Sequence, residues 1–107
     1  MKSILSSLYL LLISIALLAN DRFAVADIFT DHMVLQRNAN VKVWGEGTDG
    51  SQIEVRFEGQ NRKTVVAKGK WTVDLKTGEA GGPYKLEIVN GNHKICFKDV
   101  FVGDVWL

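Results

Sequence analysis

Two hydrophobic patterns divide the chain. From Ile4 to Ala19 nearly every residue is apolar, whereas from Val41 onward apolar and polar residues take turns with a period near two. A period of two puts alternate side chains on one face of an extended strand, while a helix needs apolar positions three and four apart. The second region therefore predicts strands and little helix. Val41, Val43 and Gly45 alternate with Lys42, Trp44 and Glu46, and Ile53, Val55 and Phe57 with Glu54, Arg56 and Glu58. Trp71, Val73 and Leu75 share one face and Thr72, Asp74 and Lys76 the other; Tyr84, Leu86 and Ile88 alternate with Lys85, Glu87 and Val89.

Turn chemistry punctuates these runs. Thr48-Asp49-Gly50, Gly59-Gln60-Asn61 and Lys68-Gly69-Lys70 are predicted turns, because Gly accepts positive φ and Asp or Asn can bond its own backbone. Between them, 62–67 returns as a strand. Residues 77–83, with three glycines and the sole proline, are the longest irregular connection and are predicted to cross from one sheet to the other. Asn90-Gly91 predicts a type I′ hairpin whose returning arm is 93–97. About six to eight short strands spaced about ten residues apart describe an all-β fold: a small antiparallel β-sandwich, immunoglobulin-like or jelly-roll-like, after an N-terminal signal helix.

Residues 1–26 are assigned to that leader. Met1-Lys2 is a positive start, the following run is apolar, and Ala24-Val25-Ala26 is the small-x-small pattern a leader peptidase reads, placing the mature start at Asp27. Ala19 and Asn20 offer a second, weaker cut. An uncleaved anchor needs about 20 apolar residues, more than this run supplies, and Ser6, Ser7 and Ser14 interrupt it. The expected destination is periplasmic or extracellular, with no stable membrane span after cleavage.

The remaining 81 residues suffice for one small domain and carry 11 basic and 11 acidic side chains. That balance leaves no electrostatic footprint for nucleic acid or an anionic membrane surface. Cys96 is the sole cysteine, so no internal disulfide forms, and it is expected to be a half-buried small hydrophobe. Ser51 is the sole serine after residue 26 and lies in a predicted turn; His32 and His93 are the histidines. Nucleophilic catalysis needs Ser and His within hydrogen-bond reach and backbone N–H groups aimed at an oxyanion, usually at a strand-to-helix turn. No catalytic residue, metal ligand or cofactor site is therefore assigned. Trp71 is expected in the core. Trp44, on the face with Lys42 and Glu46, is expected either partly exposed or packed under a loop, with a sugar platform as the alternative.

Four blocks carry a family resemblance. Ile28-Phe29-Thr30-Asp31-His32-Met33-Val34-Leu35-Gln36-Arg37 resembles the opening of sialate O-acetylesterases. Val41-Lys42-Val43-Trp44-Gly45 resembles their first sandwich strand, Gly69–Val73 and Ala80–Tyr84 their middle, and Val102-Gly103-Asp104-Val105-Trp106-Leu107 the strand entering an SGNH-type hydrolase domain. The resemblance implies that 27–99 is an accessory β-sandwich, that 100–107 begins the strand into the hydrolase domain, and that the chain stops before the nucleophile's Gly-Gln-Ser-Asn motif. It further implies a parent enzyme hydrolysing acetyl esters on sialic acid or related sugars. The partner would then be the C-terminal hydrolase domain, and Trp106 would be buried against it. A free-standing secreted module that binds a glycan is the alternative, because fold does not fix function.

Overall fold

The computed structural model describes residues 22–105 and is all-β, with eight strands in two facing sheets. Residues 1–21 of the assigned leader and Trp106 lie outside the described residues. The strands are β1 (Phe23–Val25), β2 (Val34–Gln36), β3 (Asn40–Gly47), β4 (Gln52–Phe57), β5 (Gln60–Val65), β6 (Lys70–Lys76), β7 (Gly81–Asn90) and β8 (His93–Gly103). One sheet has the order β1-β3-β6 and the other β2-β8-β7-β4-β5. Pairing is antiparallel except between β2 and β8, which run parallel, a departure from the purely antiparallel sandwich expected.

The alternation places the core as predicted. Val43, Trp71, Val73 and Leu75 from one sheet meet Ile53, Val55, Phe57, Leu86 and Ile88 from the other, all buried. Each such side chain contributes about 1.5–3 kcal/mol by leaving water. Phe57 and Tyr84 meet edge to face at 5.7 Å, the arrangement that sets a ring's positive edge against its neighbour's negative face. The buried Trp71 indole N–H donates to the Glu46 carbonyl at 3.2 Å, so its one polar atom is satisfied.

Two turns sit one residue away from their predicted places. The β4–β5 hairpin turns on Glu58-Gly59, both at positive φ, so Gln60 and Asn61 lie in β5 and not in a loop. The β7–β8 hairpin turns on Gly91-Asn92, with positive φ at Gly91 alone, which is the requirement of a type II′ turn and not of the expected type I′. Gln60 joins the two sheets at their neighbouring edges. Its side-chain oxygen accepts from the Lys76 amide at 2.9 Å and its amide donates to the Lys76 carbonyl at 2.6 Å.

β8 carries a bulge. Leu86 pairs with Phe97 but Tyr84 with Val100, so β8 spends one more residue than β7 there, and Asp99 has a φ of 52°. The extra residue resets the alternation. Val100 and Val102 thereby join Ile95 and Phe97 on the inner side and are buried. Residues 100–103, assigned from sequence to a strand leading out of the sandwich, are here the second half of β8.

Candidate functional site

The segment with the strongest sequence signature, residues 28–37, wraps the bulged end of β8. The Asp31 carboxylate accepts from the Lys98 amide at 2.7 Å, and the His32 amide donates to the Lys98 carbonyl at 2.9 Å. His32, itself at a φ of 65°, sets its imidazole Nδ1 3.3 Å from Asp99. These groups satisfy backbone atoms that the bulge takes out of the ladder. Phe29 and Leu35 are buried, and the Phe101 amide donates to the Met33 carbonyl. Thr77, itself buried, ties the segment to the other sheet: its hydroxyl donates to the Gln36 carbonyl at 2.5 Å and accepts from the Ala39 amide at 3.0 Å.

Beside its exposed polar residues, this segment leaves large apolar side chains outside. Val34 on β2 and Phe101 on β8 are direct partners facing outward. With Ile28 and Val105 they are exposed by 41–66%. Ile28, Met33, Val34, Val41 and Val105 line a recess of about 440 Å³ along β2, the end strand of its sheet. Exposed aliphatic and aromatic groups beside an unpaired sheet edge are the composition of a protein-contact surface. At the recess the chain passes through Val105, whose amide donates to the Gln36 side chain at 2.9 Å.

Ser51 and His93 line one surface recess, with Arg22, Phe23, Thr48 and Asn90. They lie 42 residues apart in the chain, and no local pattern announces their meeting. The Ser51 hydroxyl donates to the Thr48 carbonyl at 2.7 Å, which fixes it as a turn former and spends the proton a general base would take. Among the described residues no carboxylate lines the recess to orient the imidazole and no strand-to-helix turn occurs. Among the described residues no group of three His, Cys, Asp or Glu side chains could hold a metal ion.

Two groups whose titration the fold displaces belong to neither recess. A hydrogen bond to Glu58 pushes the Tyr84 hydroxyl above the usual phenol range, and one from Lys94 holds Glu87 below the usual carboxylate range. Cys96 points outward from β8 and is exposed, which corrects the half-buried placement expected. Trp44 is 41% exposed on the outer face of β3, one side of its ring braced by Phe29 at 5.1 Å and 80°. A groove of about 590 Å³ runs past it between Lys42, Lys70 and Thr72 and, across the sheet edge, Thr64 and Val65.

No family model matches the chain, and no curated protein matches it either. Among solved structures, a carbohydrate acetylesterase from Xanthomonas citri is similar at 36% sequence identity, with a TM-score of 0.74. The similarity covers 78% of this chain and 19% of the other. The chain thus shares sequence and fold with about a fifth of a carbohydrate esterase.

Proposed function

We propose that this chain is the accessory β-sandwich of an exported carbohydrate esterase, and that the Val34–Phe101 face is where the hydrolase domain of that enzyme packs. The observation that carries the reading is the 36% identity to a carbohydrate acetylesterase along most of this chain and only 19% of the enzyme. A domain similar to so small a share of an esterase, with its one described serine committed to a turn, fits a supporting role. The finer reading is a sialate O-acetylesterase: serine attack, a histidine base and an oxyanion hole, all on the hydrolase domain, release acetate from sialic acid or a related sugar. The family resemblance of residues 28–37 supports that choice of substrate. In the assembled enzyme the bulge, the Asp31 and His32 contacts and Thr77 hold the docking face in shape.

Hydrogen exchange tests the docking. The sandwich alone and the complete product of the gene are compared, and amides of β2 and of 100–105 are expected to exchange more slowly in the longer product. Equal exchange overturns the docking face. The exposure of Trp44 beside a groove favours one second reading, a free-standing glycan-binding module. A stop codon directly after Leu107, together with retardation of the purified chain in gels containing sialylated mucin, would select it.

A further inference from the structure

We propose that the leader is removed at the Ala19–Asn20 bond, and that Arg22 to Ala26, including the Ala24-Val25-Ala26 pattern, stay on the mature protein as a structural strand. The inference rests on the export reading.

The strand β1 lies inside the segment that the small-x-small pattern would discard, yet it is built into the fold. Phe23, Ala24 and Val25 pair in register with Gly47, Glu46 and Gly45 of β3. The pairing is extended at both ends: the Ala26 amide donates to the Trp44 carbonyl at 2.9 Å and the Thr48 amide to the Arg22 carbonyl at 3.1 Å. The Arg22 amide donates to the Thr48 hydroxyl at 2.9 Å, and its guanidinium meets Glu46 at 2.6 Å. Phe23, Val25 and Ala26 pack, half-buried, against the core.

The partner strand is also shaped for β1. A Cβ at Gly45 would overlap the Ala24 carbonyl and stand 2.8 Å from the Trp71 ring, closer than real Cβ atoms come to a neighbouring heavy atom. Gly45 is thus glycine where β1 and Trp71 close in from two sides. A glycine in a strand interior costs stability unless another backbone approaches, and the approaching backbone here is β1. Cutting after Ala26 would leave a two-stranded β3–β6 sheet, uncover the inner side of Gly45 and Gly47, and turn β3 into a free edge.

The upstream bond matches the small-x-small pattern in part, with Ala19 before the cut and Leu17 at the other recognised position. Leu8 to Leu18, broken only by Ser14, is an apolar run of the length a leader's hydrophobic region takes, and Ala19 supplies the small residue before the cut. A leader peptidase of the host adds water across the Ala19–Asn20 peptide bond. The Ala19 carboxylate leaves with the leader, and Asn20 becomes the new amino terminus.

The test is export of the full 107-residue chain in a bacterium, followed by N-terminal sequencing and intact mass of the recovered protein. An amino terminus at Asn20 is expected, abolished by Ala19→Leu and unaffected by Ala24→Lys, which spoils the downstream pattern at an exposed position. An amino terminus at Asp27 overturns the inference while leaving export intact. An uncleaved product overturns the leader reading itself, so the two failures are distinct. A second readout compares chains starting at Asn20 and at Asp27: the shorter is expected to melt at least ~8 °C lower or not to fold cooperatively. Equal melting would overturn the structural role of β1.

Discussion

Thr77→Val removes a hydroxyl while keeping the branched shape, and so isolates the hydrogen bonds that tie residues 36–39 to the end of β6. In the native protein that hydroxyl donates to the Gln36 carbonyl at 2.5 Å and accepts from the Ala39 amide at 3.0 Å, with the side chain buried. The two bonds are worth about 1 kcal/mol each and both are part-buried, so the substitution should lose about 2 kcal/mol. For a domain of this size that corresponds to a fall in melting temperature of at least ~8 °C. Thr77→Ser sharpens the comparison, since it keeps the hydroxyl and gives up one methyl, worth about 1 kcal/mol. If the bonds matter, Ser is the milder change; if only packing matters, Val is. Urea denaturation of the three proteins followed by tryptophan fluorescence reads the difference directly. A Thr77→Val protein within 0.5 kcal/mol of the parent on the scale of such measurements, or a Thr77→Ser protein less stable than it, would refute the reasoning.

Further outcomes follow from the same structure. Gly45→Ala, whose Cβ meets Ala24 and Trp71, should cost about 1–3 kcal/mol in urea denaturation, whereas Gly78→Ala, with open space around it and no positive φ, should be near neutral. Asp31→Ala should lower the melting temperature and speed hydrogen exchange at Lys98, because it removes the acceptor for that bulge amide. Cys96 should react with a thiol reagent in the native protein at close to the rate of the unfolded chain, being exposed. Glu87, held low by Lys94, should titrate below the usual carboxylate range by NMR. The stabilisation from that pair is present above the unfolded carboxylate's range and is lost as pH falls through the depressed native value. Glu87→Gln should flatten that part of the acid unfolding curve.

The sequence was most informative where one face of a strand is buried and the other wet. Ile53, Val55 and Phe57, or Trp71, Val73 and Leu75, can be read straight into the core because a strand has only two faces. Short elements escaped. β2 has three residues, too few to display alternation, and its parallel partner lies far along the chain. β1 was masked by its position within a plausible leader pattern. The turn at Glu58-Gly59 was displaced because Glu58, a residue with no turn preference, takes a positive φ. Cys96 faces out because Ile95 and Phe97 on either side of it face in, and the later change of parity at Val100 comes from the bulge at Asp99, which no local residue announces. The Val34–Phe101 face was likewise invisible, since its two halves meet only through that parallel pairing.

The proposed role has this sandwich support an esterase without itself performing ester chemistry. Hydrolysis of 4-nitrophenyl acetate by the purified chain, measured beside Ser51→Ala, tests it most directly. The predicted result is the same rate for both proteins, with no saturation by substrate. Saturable turnover that disappears with Ser51 would contradict it.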